Sequence, residues 1–271
     1  MAIEIDTPSM IKGLFKSDVR PGERELRWFL PCDSLSPFIQ RFWFARWRIP
    51  VCEHRKQVVL PHPSANFVLT EESTSVFGVM TRSAVQRLEG NGMAFGAKLQ
   101  PGALRAFGVM EPWLLRDTVV PASSLFRTRQ PIYQGDQPQA LVAEVEAYLT
   151  ALQPRHDSVS LKAREIAQIA EDNLDISSVA AVADRLALSE RSVQEICHRG
   201  LGVHPKWLIR CFRLQDAALR LETEANVSLS GLAQALGYFD QAHFTRDFKR
   251  ATGVSPGQYR LGVSAGAGAS A

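Results

Sequence analysis

The sequence predicts an α+β fold, in which a β-rich, sandwich- or barrel-like N-terminal domain precedes an all-α C-terminal domain with two helix-turn-helix units. Three observations predict this fold. Short β-favouring runs continue to residue 121, helical periodicity dominates after residue 139, and part of the helical region recurs about 50 residues later. The expected divisions are a β-rich domain (1–130), a helical linker (131–175), the tandem helical units (176–262) and a disordered tail (263–271).

The charge of the 271-residue chain is concentrated in its last third. Residues 1–175 carry 20 Lys+Arg and 20 Asp+Glu, whereas residues 176–271 carry 11 and 8, which gives the net charge of +3. So small an excess points to a nucleic-acid partner only if it gathers on particular helix faces. No secretion signal and no apolar run of about 20 residues is present, so we expect a cytoplasmic protein with no membrane partner.

The β-rich domain is predicted from about Arg27 to Pro121. Along one segment the odd-numbered residues 43–49 alternate with Phe44, Arg46 and Arg48, as in a half-buried strand, and residues 58–60, 67–69 and 76–79 form further short runs. The sequence Gly90-Asn91-Gly92 predicts a β-hairpin between residues 85–89 and 94–99. Residues 101–110 predict a short helix.

The linker begins with a polar loop at residues 130–139, which is rich in Gln, Pro, Gly and Asp. Leu141, Val145 and Leu149 then follow helical spacing. A second helix is indicated by Leu161, Ile166, Ile169 and Ala170. These helices are expected to join the two domains and to offer subunit contacts, so a homodimer is one predicted partner, although no heptad seam marks it.

The strongest internal pattern is a repeat in the helical region. Arg199, Gly202, Val203 and Pro205 recur 51 residues later as Arg250, Gly253, Val254 and Pro256. The preceding segments, 182–188 and 232–238, match with an offset of 50. The second copy therefore has one extra residue in its turn.

The second copy has the pattern of a helix-turn-helix. Leu229, Leu232, Ala233 and Leu236 form the apolar face of a helix that Gly237 ends, and Asp240 is the expected N-cap of the next. Phe244 and Phe248 lie four residues apart and should anchor that helix in the core. Ala242, Arg246, Lys249 and Arg250 project the other way, with Gln241 and Thr245 on the flank. Such a face suits base edges at its start and phosphates further on; an ordinary solvated amphipathic helix is the alternative.

The first copy is similar but less basic. Ser189 is the expected N-cap, and Val193, Ile196 and Cys197 form the inward face. Arg191, Glu195, His198 and Arg199 point away from it, and Glu195 occupies the position of Arg246. A carboxylate there either accepts from a cytosine amino group or weakens this half. Between the copies, a long helix from Pro205 to about Leu221 should hold the units about 34 Å apart, in successive major-groove segments.

The residues of the second copy resemble the AraC/XylS family of bacterial transcription regulators. The matching positions are Leu232-Ala233, Gly237-Tyr238, Asp240 to Phe244, Arg246, Phe248-Lys249, Gly253 to Pro256 and Tyr259-Arg260. The resemblance covers roughly residues 165–262. It implies a seven-helix domain that binds double-stranded promoter DNA without a cofactor and, in an activator, also contacts RNA polymerase.

The family pattern places the DNA-reading positions on residues of both units. They are Arg191, Gln194 and Glu195 in the first unit and Gln241, Ala242, Thr245 and Arg246 in the second, while Arg199, Lys249 and Arg250 are expected at phosphates. The first unit departs from the pattern at Glu195, Cys197 and Gly200.

The N-terminal zone is also similar to a β-rich domain often fused to this DNA-binding half, through residues 60–63, 78–81 and 95–102. That domain has a poorly defined effector role.

The N-terminal domain and the cysteines contain residue types that also suggest other functions. Cys52, His54 and His62 are close in sequence but lack the His-x-His spacing of a cupin metal site, so incidental roles are favoured. No nucleophile elbow or phosphate loop is present, so a non-enzyme is expected. Cys32, Cys52, Cys197 and Cys211 show no Cys-x-x-Cys spacing. Cys197 and Cys211 are expected to be buried rather than to act as redox sensors.

The aromatic cluster of Trp43, Phe44 and Trp47 has two interpretations: core packing of the β-rich domain or the lining of a small-molecule effector pocket. The alternative function for the whole chain is a small-molecule sensor or enzyme whose helical domain serves assembly.

Overall fold

Strands dominate the first half of the chain and helices the second. The computed structural model describes residues 3–5, 14–131, 137–173, 176–224 and 226–267. Its strands are β1 (Glu4–Ile5), β2 (Leu14–Ser17), β3 (Arg24–Phe29), β4 (Ile39–Arg48), β5 (His54–Val59), β6 (Asn66–Thr70), β7 (Thr74–Phe77), β8 (Ala84–Glu89), β9 (Asn91–Leu99) and β10 (Val119–Pro121). Its α-helices are α1 (Ala103–Ala106), α2 (Ala122–Leu125), α3 (Pro138–Ala151), α4 (Ser158–Asp172), α5 (Val179–Arg185), α6 (Glu190–Leu201), α7 (Pro205–Thr223), α8 (Leu229–Ala235), α9 (Gln241–Thr252) and α10 (Pro256–Ala267), and a 3₁₀ helix spans Pro112–Leu115.

The strands form two antiparallel sheets. The larger has the order β1-β3-β4-β9-β6-β7-β10, and the smaller has the order β2-β5-β8. The sequence predicts strands from about Arg27 onward. In the structure, strand pairing begins earlier, because β1, β2 and β3 all start before Arg27. The sequence and the structure thus agree on an α+β fold with a β-rich N-terminal domain.

The predicted β-hairpin at Gly90-Asn91-Gly92 is wrong. β8 and β9 are consecutive, but β8 pairs with β5 in the small sheet, whereas β9 pairs with β4 and β6 in the large one. Gly90, with φ of 53°, turns the chain from one sheet to the other. Most residues of β9 are buried, whereas most residues of β8 are exposed. The two strands therefore belong to different sheets, although the turn sequence between them is typical of a hairpin.

The aromatic residues of β4 serve packing. Phe44 is fully buried in the core of the N-terminal domain. Trp43 and Trp47 lie on the other face of the large sheet, across Gly96 and Gly92 of the neighbouring strand β9, where a Cβ atom would collide with their rings. The indole of Trp47 also donates to the carbonyl of Glu89, at 3.2 Å. Sheet packing therefore accounts for this cluster.

The two linker helices pack against different domains of the same chain. Leu141, Val145 and Leu149 of α3 are buried in the N-terminal core. Ile166 and Ala170 of α4 are buried in the first core of the C-terminal domain, while Leu161 is exposed. Most of the apolar residues that suggested subunit contacts are therefore used within the chain.

The C-terminal domain has two cores that share one helix. The first half of α7 contributes Leu208, Ile209 and Phe212 to a core formed with α4, α5 and α6. Its second half contributes Leu214, Ala218 and Leu221 to a core formed with α8, α9 and α10. The 19-residue helix is therefore a rigid connection between the two units.

The chain end differs from the sequence prediction. Helix α10 continues to Ala267, whereas a disordered tail was expected from residue 263; residues 268–271 lie outside the described residues. Extending a helix that has already formed costs much less than starting one, which explains the difference. The loop predicted at residues 130–139 ends slightly earlier than expected, because α3 begins at Pro138. Residues 132–136 of this loop also lie outside the described part.

Candidate nucleic-acid interface

The second helix-turn-helix consists of α8 and α9. The side chain of Asp240 accepts from the backbone N–H of His243 at 2.6 Å and caps α9, as the sequence predicts. Phe244 and Phe248 are fully buried, with ring centroids 5.6 Å apart. These two contacts fix both the start of α9 and the face that it turns to solvent.

The first helix-turn-helix consists of α5 and α6 and is built in the same way. Ser189 caps α6 by accepting from the N–H of Ser192 at 3.1 Å. Val193 and Cys197 are fully buried, and Ile196 is half-buried against them. Gly200, one of the family departures, lets α6 approach α4, because a Cβ there would collide with Ala163. A larger residue at this position would therefore require the two helices to separate.

The predicted DNA-contacting side chains lie on the outward faces of α6 and α9. Thr245 is half-buried, and the rest are exposed: Arg191, Gln194, Glu195, Arg199, Gln241, Ala242, Arg246, Lys249 and Arg250. Within each helix the structure brings its members together on one solvent-facing surface. We call these surfaces the α6 face and the α9 face.

The two faces differ in charge. On the α6 face, Glu195 forms an ion pair with Arg199, with N–O 3.4 Å, which partly neutralises that cation. On the α9 face, Arg250 pairs with Asp247 at 3.1 Å. Within the described part of the chain, Arg191, Arg246 and Lys249 have no ion-pair partner. Because the Glu195–Arg199 pair is exposed and therefore weak, Arg199 can exchange its carboxylate for a phosphate at little cost. Asp247 is buried, with 8% of its side chain exposed, so the pair with Arg250 is the more costly of the two to break.

The two turns of the units differ by one residue. In the first unit the N–H of Leu188 donates to the carbonyl of Ala183, and in the second the N–H of Tyr238 donates to Ala233, both at 2.9 Å. Leu188 and Tyr238 are therefore structural equivalents. The caps follow immediately after Leu188 but one residue later after Tyr238, so Phe239 is the extra residue of the second copy. The offsets of 50 and 51 residues in the sequence predict an extra residue in this turn, and the structure identifies it.

The N-terminal domain contacts the end of α6. The ring of Trp113 stacks on His198, with centroids 4.8 Å apart, and Arg116 donates to the carbonyl of Gly202 at 3.3 Å. Further along, the indole of Trp207 donates to Thr81, and the amide of Gln215 donates to Pro61 at 2.7 Å. This interface was not predictable from the sequence, because its partners lie more than 80 residues apart and share no motif.

Cys52, His54 and His62 of the N-terminal domain were expected to have incidental roles rather than to form a metal site. Among the described residues, no group of three or more His, Cys, Asp or Glu side chains is placed to hold a metal ion. Cys52 is exposed, whereas His62 is buried against Phe212 of α7. An open cavity of about 380 Å³ lies between residues 128–131 and α3, and Tyr148 contributes to its lining. It is separate from the tryptophans considered for an effector pocket.

The thiols of the C-terminal domain are buried. Burial raises the pKa of Cys197 to about 12 and that of Cys211 to about 12, so both remain protonated at neutral pH. A protonated, inaccessible thiol is a poor nucleophile. The geometry thus favours the predicted packing role over a thiol sensor.

No helix of the described chain is long and apolar enough to cross a membrane.

Comparisons with known proteins agree with this geometry. A helix-turn-helix domain family matches residues 182–262, which extend from within α5 to within α10 and include α6, α7, α8 and α9. Over 126 residues the chain is 30% identical to the arabinose operon regulatory protein of Escherichia coli strain K12, covering 46% of this chain and 42% of that protein. Residues 182–262 therefore form a helix-turn-helix domain of the AraC type.

Two further similarities concern the AraC-type domain. The raffinose operon transcriptional regulatory protein of Pediococcus pentosaceus is 41% identical over 78 residues, covering 29% of this chain and 28% of that protein. The solved C-terminal domain of AraT, a response regulator from Geobacillus stearothermophilus, is 29% identical, covers 40% of this chain and 87% of that one, and has a TM-score of 0.35. The chain spans less than half the length of the curated relatives it matches.

The N-terminal domain matches a separate family. Residues 27–121 match a domain of unknown function, DUF6597. This match agrees with the resemblance stated for residues 60–102 and brings no ligand with it. The AraC-type domain is therefore the part of the chain whose geometry supports a specific function.

Proposed function

We propose that the protein is a transcription regulator that binds promoter DNA through the α6 face and the α9 face together. The observation that carries the proposal is the pair of capped, outward-facing helices attached to one shared helix, α7. Recognition helices of helix-turn-helix proteins use such faces in the major groove. A rigid connection suits two adjacent segments of one duplex.

The α9 face is proposed as the principal DNA contact. Arg246 is exposed and has no ion pair with any described residue, so it meets DNA without first losing a partner. Gln241 and Ala242 lie at the start of the same helix, where base edges are reached. Glu195 occupies the matching position on the α6 face, and phosphates repel a carboxylate. The first unit is thus the weaker half of the proposed interface.

The test is replacement of Arg246 by alanine in the full chain. The preferred duplex is first obtained by in vitro selection from random sequences with the unmodified protein. If Arg246 reads a guanine, Arg246→Ala should cost about 1–3 kcal/mol of binding free energy and relax specificity at one base pair. Fluorescence anisotropy titrations on single-base variants of the duplex measure both effects.

Arg127→Ala is the matched control, because Arg127 is an exposed arginine of the N-terminal domain outside both faces. It should leave specific binding unchanged. If Arg246→Ala also leaves affinity and base preference unchanged, the assignment of α9 to the groove is wrong. If the unmodified protein selects no sequence, the regulator proposal itself fails, and the alternative of a sensor or enzyme with a helical assembly domain gains support.

The remaining partners stay predictions. They are a small-molecule effector at the N-terminal domain, a homodimer through the linker helices and, for an activator, RNA polymerase. The contacts of the N-terminal domain with α6 support a role in regulation, because a change there reaches a recognition helix directly. A regulator of this kind would act in the cytoplasm, where bacterial DNA is located.

A further inference from the structure

Phe239 is an unusually exposed aromatic residue. Its relative accessibility is 96%, the highest among the exposed large apolar residues of the described chain. It makes no hydrogen bond, ion pair or ring contact with any residue that the structure describes. An aromatic side chain stabilises a protein by a few kcal/mol only when it is buried. Because the ring of Phe239 is exposed, it contributes little to the stability of the fold.

The position of Phe239 in the repeat explains its exposure. Leu188, the last residue before the cap in the first unit, packs partly against its core. The structurally equivalent Tyr238 fills that place in the second unit, with its ring 5.4 Å from Phe244. Phe239 is the extra residue between Tyr238 and the cap, so the core has no place for it. The chain nevertheless has a large apolar side chain there, at a solvent-facing turn.

The surroundings of Phe239 point to one occupant. It directly precedes Asp240, the N-cap of α9, and so stands beside Gln241 and Ala242 at the end of α9 that faces base edges in the proposed complex. A glutamine at such a position can form hydrogen bonds with the edge of an adenine. An apolar side chain beside it can instead contact the C5 methyl group of thymine, which is the apolar group in the major groove. Ala242 is exposed and also apolar.

We propose that Phe239 is a specificity residue that contacts a thymine methyl group at the edge of the sequence read by α9. The inference rests on the proposed function, since it requires α9 to occupy the major groove. A phenyl ring has no hydrogen-bonding group for phosphates, so its contribution on DNA is apolar. The inserted residue would thus give the second unit a base preference that the first unit lacks.

The test removes the methyl group from the DNA rather than only the ring from the protein. In the selected duplex, each thymine contacted by the second unit is replaced in turn by uracil, which lacks only the C5 methyl. For the unmodified full chain, one replacement should weaken binding about fourfold, the fold-change expected for loss of one buried methyl or methylene group. Phe239→Ser should show a similar loss on the thymine duplex and no further loss on the uracil duplex.

Val51→Ser is the control, because Val51 is a highly exposed apolar residue in a turn of the N-terminal domain. It should retain the full sensitivity to uracil. Phe239→Ser should keep the melting temperature of the unmodified protein, since the ring contributes little to the core. The uracil series on the unmodified chain is informative even if the variant is unstable.

Three results would overturn the inference. The first is an affinity of the unmodified protein that no uracil replacement changes. The second is equal uracil sensitivity of the unmodified protein and Phe239→Ser. In the third, Phe239→Ser binds every duplex normally but fails in transcription with RNA polymerase, which would assign the ring to a protein partner. If the unmodified protein instead selects no sequence, the proposed function has failed and this inference fails with it.

Discussion

The turn of each helix-turn-helix unit contains a residue with left-handed backbone. It is Ala187 in the first unit, with φ of 51°, and Gly237 in the second, with φ of 68°. A side chain is strained in this region, and glycine is not. At Gly237 a Cβ atom would also lie 3.1 Å from Nη2 of Arg213, a largely buried side chain that donates to the carbonyl of Ile176. The turn of the second unit is therefore the less tolerant of the two.

Gly237→Ala should destabilise the protein by about 1–2 kcal/mol, because the backbone strain adds to the contact with Arg213. Chemical denaturation monitored by circular dichroism measures this change. Ala187→Gly is the matched control at the equivalent turn, where relief of strain offsets the greater freedom of the unfolded chain. It should change stability by less than about 0.5 kcal/mol. Equal effects of opposite sign at both positions would contradict the special role of Arg213.

Side-chain roles were predictable from sequence where they depend on near neighbours. The caps Ser189 and Asp240 and the buried pair Phe244 and Phe248 all follow from helical spacing, and the structure confirms them. The stacking of Trp113 on His198 was not predictable. It joins residues 85 positions apart, and no local pattern encodes such a distance.

At the scale of elements, helices were easier to predict than strand pairing. The long helix predicted from Pro205 to about Leu221 is α7, which spans Pro205–Thr223, because the backbone hydrogen bonds of a helix join residues four positions apart. A strand needs a partner from elsewhere in the chain. The turn sequence at Gly90 is compatible with a hairpin, but burial places β8 and β9 in different sheets. Local turn chemistry alone therefore gave the wrong pairing.

The start of α4 is tied to the N-terminal domain by an ion pair. Asp157 caps α4 by accepting from the N–H of Ser160 at 2.7 Å, and Nε of Arg105, on α1, donates to it at 3.0 Å. The hydrogen bond from Arg105 is the main reason that the pKa of Asp157 is lowered to about 2. Because the folded-state pKa lies below the unfolded value near 3.8, this contact stabilises the protein above about pH 4, and its contribution is lost as the pH falls towards 2.

Asp157→Asn should lower the melting temperature at pH 7 and have little effect at pH 2. Asparagine keeps the cap, so the variant removes only the charge. With 38% of the Asp157 side chain exposed, we expect a loss of about 2–4 °C, measured by scanning calorimetry. Glu165→Gln, on the same helix but in an exposed pair with Lys162, should show no such pH dependence. A constant difference between Asp157→Asn and the unmodified protein from pH 7 to pH 2 would refute the assignment.

At the scale of the whole molecule, the first unit is held from two sides. The shared helix α7 links it to the second unit, and the segment around Trp113 and Arg116 links it to the N-terminal domain. The N-terminal domain also reaches the second unit, because Leu60 is buried in its core, but Trp113 and Arg116 contact the proposed recognition helix and the turn of the first unit. The outward face of the second unit carries the more available cations, Arg246 and Lys249. This arrangement favours a division in which the second unit supplies affinity and the first is the unit open to regulation.

In the proposed complex, one molecule places both recognition helices on the same duplex. Hydroxyl-radical footprinting of the full chain on its selected DNA measures this arrangement. We expect two protected segments on one face of the helix, about 10 base pairs or 34 Å apart, with Arg246→Ala weakening mainly the segment bound by the second unit. A single protected segment of one half-site, or protection that ignores sequence, would contradict it.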